Sequence, residues 1–344
     1  MRSVDRSDEE RGLFAVLVGD GLPLLMVAAG SLVLGGGFAV FLALTGEFLP
    51  HDIRYLQMSA VDLCSVEDCR VVNFMIHDRA AFGGALIAVG VLYTYLVCFP
   101  LRRGEAWAWW LLTVSATAGF FSFLAYLGYG YLDTWHGIGT ALLLPMFAAG
   151  LIRSRRLIGD TSMARALLTG RLPSLTNREG LGRAWLLAGA AGVAVAGLEI
   201  LRIGVTKIFV PEDLAFIGVP AAELRALNPR LVPLIAHDRA GFGGAVFTTG
   251  LTALGCLWYS RTTRALWESM FVAGTVSLTA AIGIHLVVGY TDVWHLAPAM
   301  LGAASLLIGQ ALTFSTAYRL RGTATANPSV LPHGAGQESV DTTP

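Results

Sequence analysis

The chain has 344 residues, of which 55% are hydrophobic and only 14% are charged, and its mean hydropathy is +0.62. A soluble globular protein of this length is more polar, so the composition predicts an integral membrane protein whose main partner is the lipid bilayer. Lys+Arg and Asp+Glu both number 24, and this zero net charge argues against a nucleic-acid partner.

Eight segments are apolar and long enough to cross a bilayer as α-helices. They cover residues 22 to 45, 80 to 99, 107 to 128, 134 to 152, 184 to 206, 240 to 259, 266 to 288 and 295 to 316. The sequence therefore predicts an all-α fold with four transmembrane helices in each half. The predicted regions are an N-terminal tail (1–21), a first repeat (22–152), a basic linker (153–183), a second repeat (184–320) and a disordered C-terminal tail (321–344).

Two motifs occur once in each half and indicate an internal duplication. The segment HDRAAFGGA at residues 77–85 returns as HDRAGFGGA at 237–245, and GYLDTWH at 130–136 returns as GYTDVWH at 289–295. An even number of spans per half makes the two repeats parallel, so both copies of each motif face the same side of the membrane. The sequence predicts that a functional site lies near these motifs.

The arginines indicate which side that is. They are concentrated in alternate loops and in the C-terminal region, which the positive-inside rule assigns to the cytoplasm. We therefore expect a multi-pass protein of the cell membrane with both termini cytoplasmic and both motifs on the outer face. The related segments FLPHD (48–52) and FVPED (209–213) begin the longer outer loops, where short cap helices are expected, one of them at 221–227.

Ten polar residues of the motifs are candidate ligand-binding residues. They are His77, Asp78, Arg79, Asp133, His136, His237, Asp238, Arg239, Asp292 and His295. If the second and fourth spans of each half are neighbours, His77 lies near His136. Imidazole and carboxylate groups also suit a divalent metal such as Zn, Mn or Fe. The candidate metal ligands are His77, Asp133, His136, His237, Asp292 and His295.

Three other interpretations of these residues remain open. Asp78 and Asp238 would cap the second span of each half if that helix starts at the motif, and Asp133 and Asp292 would cap the fourth. Helix N-termini beside Arg79 and Arg239 would attract an anion. Alternatively, aspartates and arginines from different helices pair as structural locks.

Several further side chains carry simpler predictions. Small residues allow helices to approach closely, and aromatic residues at a membrane boundary form an interfacial belt. The packing glycines would be Gly83, Gly84, Gly243 and Gly244, and the belt residues Tyr131, Trp135, Tyr290 and Trp294. Glu199 and Arg202 are expected to pair with each other, and His285 to be a hydrogen-bonded core residue. Cys64 and Cys69 are expected to form a disulfide on the outer face.

Three functions follow from these alternatives. In the first, the outward clusters bind a small anion or ion and take part in transport. In the second, a bound divalent metal makes the protein a hydrolase of the outer leaflet. In the third, the protein is a non-catalytic scaffold. The sequence contains no Walker motif, nucleophile elbow or CxxCH segment that would decide among them.

Overall fold

The structure, a computed structural model, describes residues 18–124, 131 and 134–318. Its described part is all-helical. The longer helices are α1 (Leu22–Thr45), α4 (Arg70–Cys98), α5 (Ala106–Leu124), α6 (Thr134–Ser154), α8 (Arg178–Val205), α11 (Leu231–Tyr259), α12 (Arg264–Val288) and α13 (Val293–Ala317). The shorter ones are α2 (Pro50–Leu56), α3 (Ala60–Cys64), α7 (Met163–Leu167), α9 (Pro211–Ile217) and α10 (Ala221–Leu227).

Seven of the long helices are long and apolar enough to cross a membrane, and they indicate a membrane-embedded protein. The seven are α1, α4, α6, α8, α11, α12 and α13. Helix α5 is the described part of the remaining predicted span, whose last residues, 125–128, lie outside the described ranges.

The two most buried long helices, α4 and α11, pack against each other at the centre of the molecule. Each contacts two further helices in the same way: α4 packs on α1 and α12, and α11 packs on α8 and α5. Helices α6 and α13 lie outside, against α1 and α8 respectively. The second predicted span of each half therefore packs on the third span of the other half.

Glycines allow the closest of these helix contacts, as the sequence predicted. A Cβ on Gly83 would lie 2.7 Å from the Gly36 carbonyl oxygen, and one on Gly243 would lie 2.2 Å from the Leu201 backbone nitrogen. Gly84 and Gly244 meet side chains of the opposite half, Ala280 and Ser122. These glycines act as packing positions, because any side chain would occupy space that the neighbouring helix already fills.

The predicted starts of the second spans are wrong. Helix α4 begins at Arg70 and α11 at Leu231, so Asp78 and Asp238 lie inside helices and cap neither of them. The extra turns are apolar on their inner side and bury Phe74 and Leu234 beneath the short helices. Packing against α2, α3, α9 and α10 thus extends both helices beyond the apolar stretches that were visible in the sequence.

The short helices form a cap over this end of α4 and α11. The predicted helix at 221–227 is confirmed as α10. In both α2 and α9, proline stands at the first helical position and an aspartate at the third. Asp52 accepts a hydrogen bond from Leu49 N (3.3 Å), and Asp213 accepts one from Val210 N (2.8 Å). These contacts fix two buried carboxylates at the helix starts.

Candidate functional site

A layer of buried charged residues lies between two apolar clusters of the core. On the side of the short cap helices it is covered by Phe74 and its neighbours, and on its other side Ala81, Phe82, Ala85, Phe242 and Ala245 pack α4 against α11. The layer contains both copies of the HDR motif. It therefore holds a set of charges in apolar surroundings, where each one requires a partner.

The first network consists of Asp52, Arg79, Tyr131 and Asp238. Arg79 donates from Nη1 to Asp52 Oδ2 (2.8 Å) and from Nε to Asp238 Oδ2 (2.7 Å). The Tyr131 hydroxyl donates to the other Asp52 oxygen. Arg79 thus connects an aspartate of the cap, which lies in its own half, to the motif aspartate of the other half.

The second network consists of Asp78, Asp213, Arg239 and Tyr290 and repeats this plan. Arg239 pairs with Asp213 through Nη1, and its Nε lies 3.7 Å from Asp78 Oδ2. Tyr290 donates its hydroxyl proton to Asp213 Oδ1 (2.9 Å). The pairing is again crossed, because Asp78 and Arg239 come from opposite halves. The sequence prediction that aspartates and arginines of different helices pair is confirmed.

The charge balance of the two networks bears on which ligands they could attract. Each contains one guanidinium and two carboxylates, so each carries one excess negative charge if all groups are ionised. Arg239 is only 4% exposed, and Arg79 15%. An anion approaching either arginine would therefore meet a guanidinium that is already paired with aspartates, in a network with more carboxylates than guanidinium groups.

The histidines also group across the halves, and not within one half as we expected from the sequence. His77 lies beside His285 and His295, with ring centroids 4.2 and 5.6 Å away. His237 lies beside His136, at 5.5 Å between centroids. Helix α4 packs on α12 and α11 packs on α5, so each motif histidine faces helices of the opposite half.

A chamber of about 470 Å³ adjoins the first network. Its walls are mostly apolar and come from α1, α4 and α6, with Phe38, Leu86 and Leu143 among them. At its polar end stand Asp52, Arg79, His136, His237 and Asp238. A volume of this size with few polar groups is typical of sites for small organic ligands.

The tyrosines of the second motif were predicted to be belt residues, and this prediction is wrong. Tyr131 and Tyr290 are buried (4% and 2% exposed) because their hydroxyls satisfy Asp52 and Asp213. Trp135 and Trp294 are exposed, as belt residues would be. Burial and the neighbouring Asp213 carboxylate raise the pKa of the Tyr290 phenol above its ordinary value of 10.0, so this hydroxyl remains a proton donor.

We expect Tyr290→Phe to destabilise the protein by about 1–3 kcal/mol, because Asp213 loses a buried hydrogen bond. The effect should shrink above pH 10. There the unfolded tyrosine ionises while the folded one does not, so the stability that Tyr290 contributes is lost as pH rises. Thermal unfolding of both proteins between pH 7 and 11 measures this. Equal melting temperatures at pH 7 would contradict the role given to the hydroxyl.

Several other residues singled out in the sequence lie outside the two networks. Asp292 caps α13 by accepting a hydrogen bond from His295 N (2.8 Å), whereas Asp133 lies outside the described residues. Glu199 and Arg202 bond each other at the surface, as predicted. His285 is a hydrogen-bonded core residue, since its Nδ1 contacts the Ala281 carbonyl oxygen at 2.6 Å.

The structure also joins Cys64 and Cys69 in a disulfide within the cap. Two site residues, Asp52 and Asp213, were missed in the sequence. The sequence did indicate them, because Asp52 is the last residue of FLPHD and Asp213 is the last residue of the related segment FVPED.

Comparison with known proteins adds no relative, because no protein family, curated protein or solved structure matches the chain. The fold and the site therefore define the class of the protein by themselves. It is an all-helical, membrane-embedded protein whose core contains two crossed Asp–Arg–Asp networks.

Proposed function

We propose that the chain is a polytopic protein of the cell membrane with eight spans, arranged as two parallel repeats of four. The eighth span would be the one predicted at 107 to 128, of which α5 is the described part. Support comes from corresponding contacts in both halves, since Gly83 and Gly243 pack on α1 and α8 in the same manner. The two networks also use residues at corresponding positions of the two copies.

Both termini are cytoplasmic in this proposal, and the cap with its disulfide faces outward. The arginine-rich loops support this orientation, as does the Cys64–Cys69 bond, because disulfides persist in oxidising compartments. A membrane-impermeant maleimide applied to intact cells after mild reduction tests it. Labelling of these two cysteines only after the membrane is opened would reverse the orientation.

The function we propose is binding of a small amphipathic ligand in the chamber beside the first network. The chamber itself carries this proposal, because an apolar space that ends at a polar cluster matches a molecule with an apolar body and a polar head. The head group would be cationic or an uncharged hydrogen-bond donor, since Asp52 and Asp238 outnumber Arg79. Binding is proposed without transport, because the charges form one layer and α4 and α11 are packed together below it.

The ten motif residues predicted from the sequence have different parts in this proposal. Arg79, Asp238, His136 and His237 would contact the ligand, together with Asp52, which the sequence prediction did not include. Asp78 and Arg239 would act as a structural lock, which retains the scaffold interpretation for the second network. Asp292 would serve as a helix cap. His77, His295 and Asp133 have no assigned part in ligand binding.

Gly139 offers a test, because it lines the chamber and a Cβ placed there meets no atom within 4 Å. Gly139→Leu should fill the chamber without touching the charged network. We expect wild-type protein in detergent to retain dodecylamine and dodecanol in native mass spectrometry, about tenfold or more tightly than dodecanoate. Gly139→Leu should lose this retention.

The matched control is Gly283→Leu, at a glycine of α12 that also faces open space but lies away from the chamber. It should bind the amphiphiles as the wild type does. Equal retention by both variants would exclude the chamber as the binding site. A preference for dodecanoate would overturn the charge argument and restore the anion interpretation.

A further inference from the structure

Three histidines from three helices meet beside the second network. They are His77 of α4, His285 of α12 and His295 of α13, and one ring nitrogen from each lies within 4.8 Å of the other two. All three side chains are at least 83% buried, since their exposed fractions are 1%, 5% and 17%. The sequence prediction had placed the first and last of them among metal ligands but had treated His285 as a core residue.

An oxygen atom lies close to Nδ1 of each ring, as a hydrogen-bond partner for His285 and His295 and as an ion-pair contact for His77. The Nδ1 atoms of all three lie near oxygen atoms: Asp78 Oδ1 at 3.0 Å for His77, the Ala281 carbonyl at 2.6 Å for His285 and the Tyr290 hydroxyl at 3.1 Å for His295. Metal-binding histidines generally use one ring nitrogen for such a partner, and the other for the metal.

Two ring nitrogens of the group, His77 Nδ1 and His285 Nε2, are buried without a hydrogen-bond partner in the described part of the chain. A buried imidazole nitrogen without a partner is costly, whereas coordination of a cation would satisfy its lone pair. The nearby charges favour a cation as well, because the carboxylates of Asp78 and Asp213 outnumber the guanidinium of Arg239.

We propose that His77, His285 and His295 form a site for a divalent transition-metal ion of the Zn²⁺ class. Three imidazoles suit Zn²⁺, Cu²⁺ or Fe²⁺, and three protein ligands leave one position open for water or a ligand. Zn–N distances of about 2.0–2.1 Å would draw the three ring nitrogens closer together than the 4.8 Å within which they now lie. The metal would join the halves, because His77 comes from the first and the other two from the second.

The corresponding place in the other half lacks the third histidine. His237 and His136 take the positions of His77 and His295, but the residue that matches His285 in the sequence is Tyr126, which lies outside the described residues. The site is therefore expected once per chain. It stands independently of the ligand chamber, which lies beside the first network.

The test uses the full chain purified without a histidine tag, stripped with chelator and reloaded with Zn²⁺ or Co²⁺. We expect one metal ion per chain by elemental analysis, and a Co²⁺ absorption spectrum of tetrahedral or five-coordinate type. Removing a residue that hydrogen-bonds to a metal-binding histidine weakens metal affinity by roughly 10–100-fold. His285→Phe, which removes a ligand, should therefore weaken Zn²⁺ binding about a hundredfold or more.

Two further variants make the result specific. His237→Phe alters the matching motif histidine of the other half and should bind Zn²⁺ like the wild type. His285→Cys supplies another ligand, so it should retain the metal and add sulfur-to-cobalt absorption, which also shows that the helix is folded. Absence of stoichiometric metal, or equal losses in His285→Phe and His237→Phe, would overturn the proposal.

Discussion

Arg239→Met is expected to lower the free energy of unfolding by about 3–5 kcal/mol, the largest effect of any single charge removal in this protein. The guanidinium is almost fully buried and faces two carboxylates, those of Asp213 and Asp78. Methionine preserves the apolar stem but leaves both negative charges without their shared counterion. The unfolding midpoint of the purified protein in nanodiscs, followed by intrinsic fluorescence, measures the loss.

Arg264→Met is the matched control, because Arg264 pairs with Glu268 at an exposed helix surface. Exposed pairs of this kind contribute about 0–1 kcal/mol, so little change is expected. Adding Asp213→Asn to Arg239→Met should recover part of the stability by removing one of the uncompensated charges. If the two arginine variants unfold at the same temperature, the second network does not lock the halves together.

Gly243→Ala is expected to cost about 1–3 kcal/mol, although the change adds only one methyl group. The new Cβ would lie 2.2 Å from the Leu201 backbone nitrogen and 2.7 Å from its Cα. Backbone atoms cannot turn aside as a flexible side chain can, so α8 and α11 must separate. The separation would also disturb Arg239, which lies one turn earlier on α11. The same unfolding assay applies.

Gly192→Ala provides the comparison on the partner helix α8. A Cβ at Gly192 meets no atom within 4 Å, so this variant should be neutral or up to about 1 kcal/mol more stable, because alanine favours the helix. A loss of stability as large as that of Gly243→Ala would mean that helix packing at Gly243 is not the cause.

The crossed pairing gives the charged layer a structural role, because it links the two halves of the chain. Arg79 and Arg239 each bond one aspartate of their own half and approach one of the other half. The two networks thus hold α4 and α11 in one relative position, and this position in turn sets the chamber on one side and the three histidines on the other. The residues that hold the helices together are therefore also those beside which we propose that ligand and metal bind.

Much of this arrangement was accessible from the sequence. Hydropathy predicted the long apolar helices, seven of which are long and apolar enough to cross a membrane, but it misplaced the starts of α4 and α11. Repetition identified Asp78, Arg79, Asp238 and Arg239 as a related set. The packing glycines and the Glu199–Arg202 pair were also predicted correctly. Such features depend on local composition or on residues one helical turn apart, and both can be seen along the chain.

The identity of each partner depended on the tertiary structure. The extra turns of α4 and α11 contain a polar residue or a proline among their apolar ones, Asn73 in α4 and Pro233 in α11, and they pack as helix beneath the cap. Whether His77 meets His136 or His295 depends on which helices are neighbours, and sequence periodicity is the same in either case. The sequence predicted that the two tyrosines lie at the surface, whereas in the structure they are buried and donate hydrogen bonds to Asp52 and Asp213.

The sequence by itself determined an apolar, duplicated helical chain and the residues from which its polar layer is made. Only the tertiary structure decided that the layer is crossed, that Asp52, Asp213 and His285 lie beside the predicted site residues, and that the two copies differ in their surroundings. The physical reason is that a buried charge takes its partner from whichever helix lies nearest in space, and the packing of glycine-rich surfaces sets that neighbour.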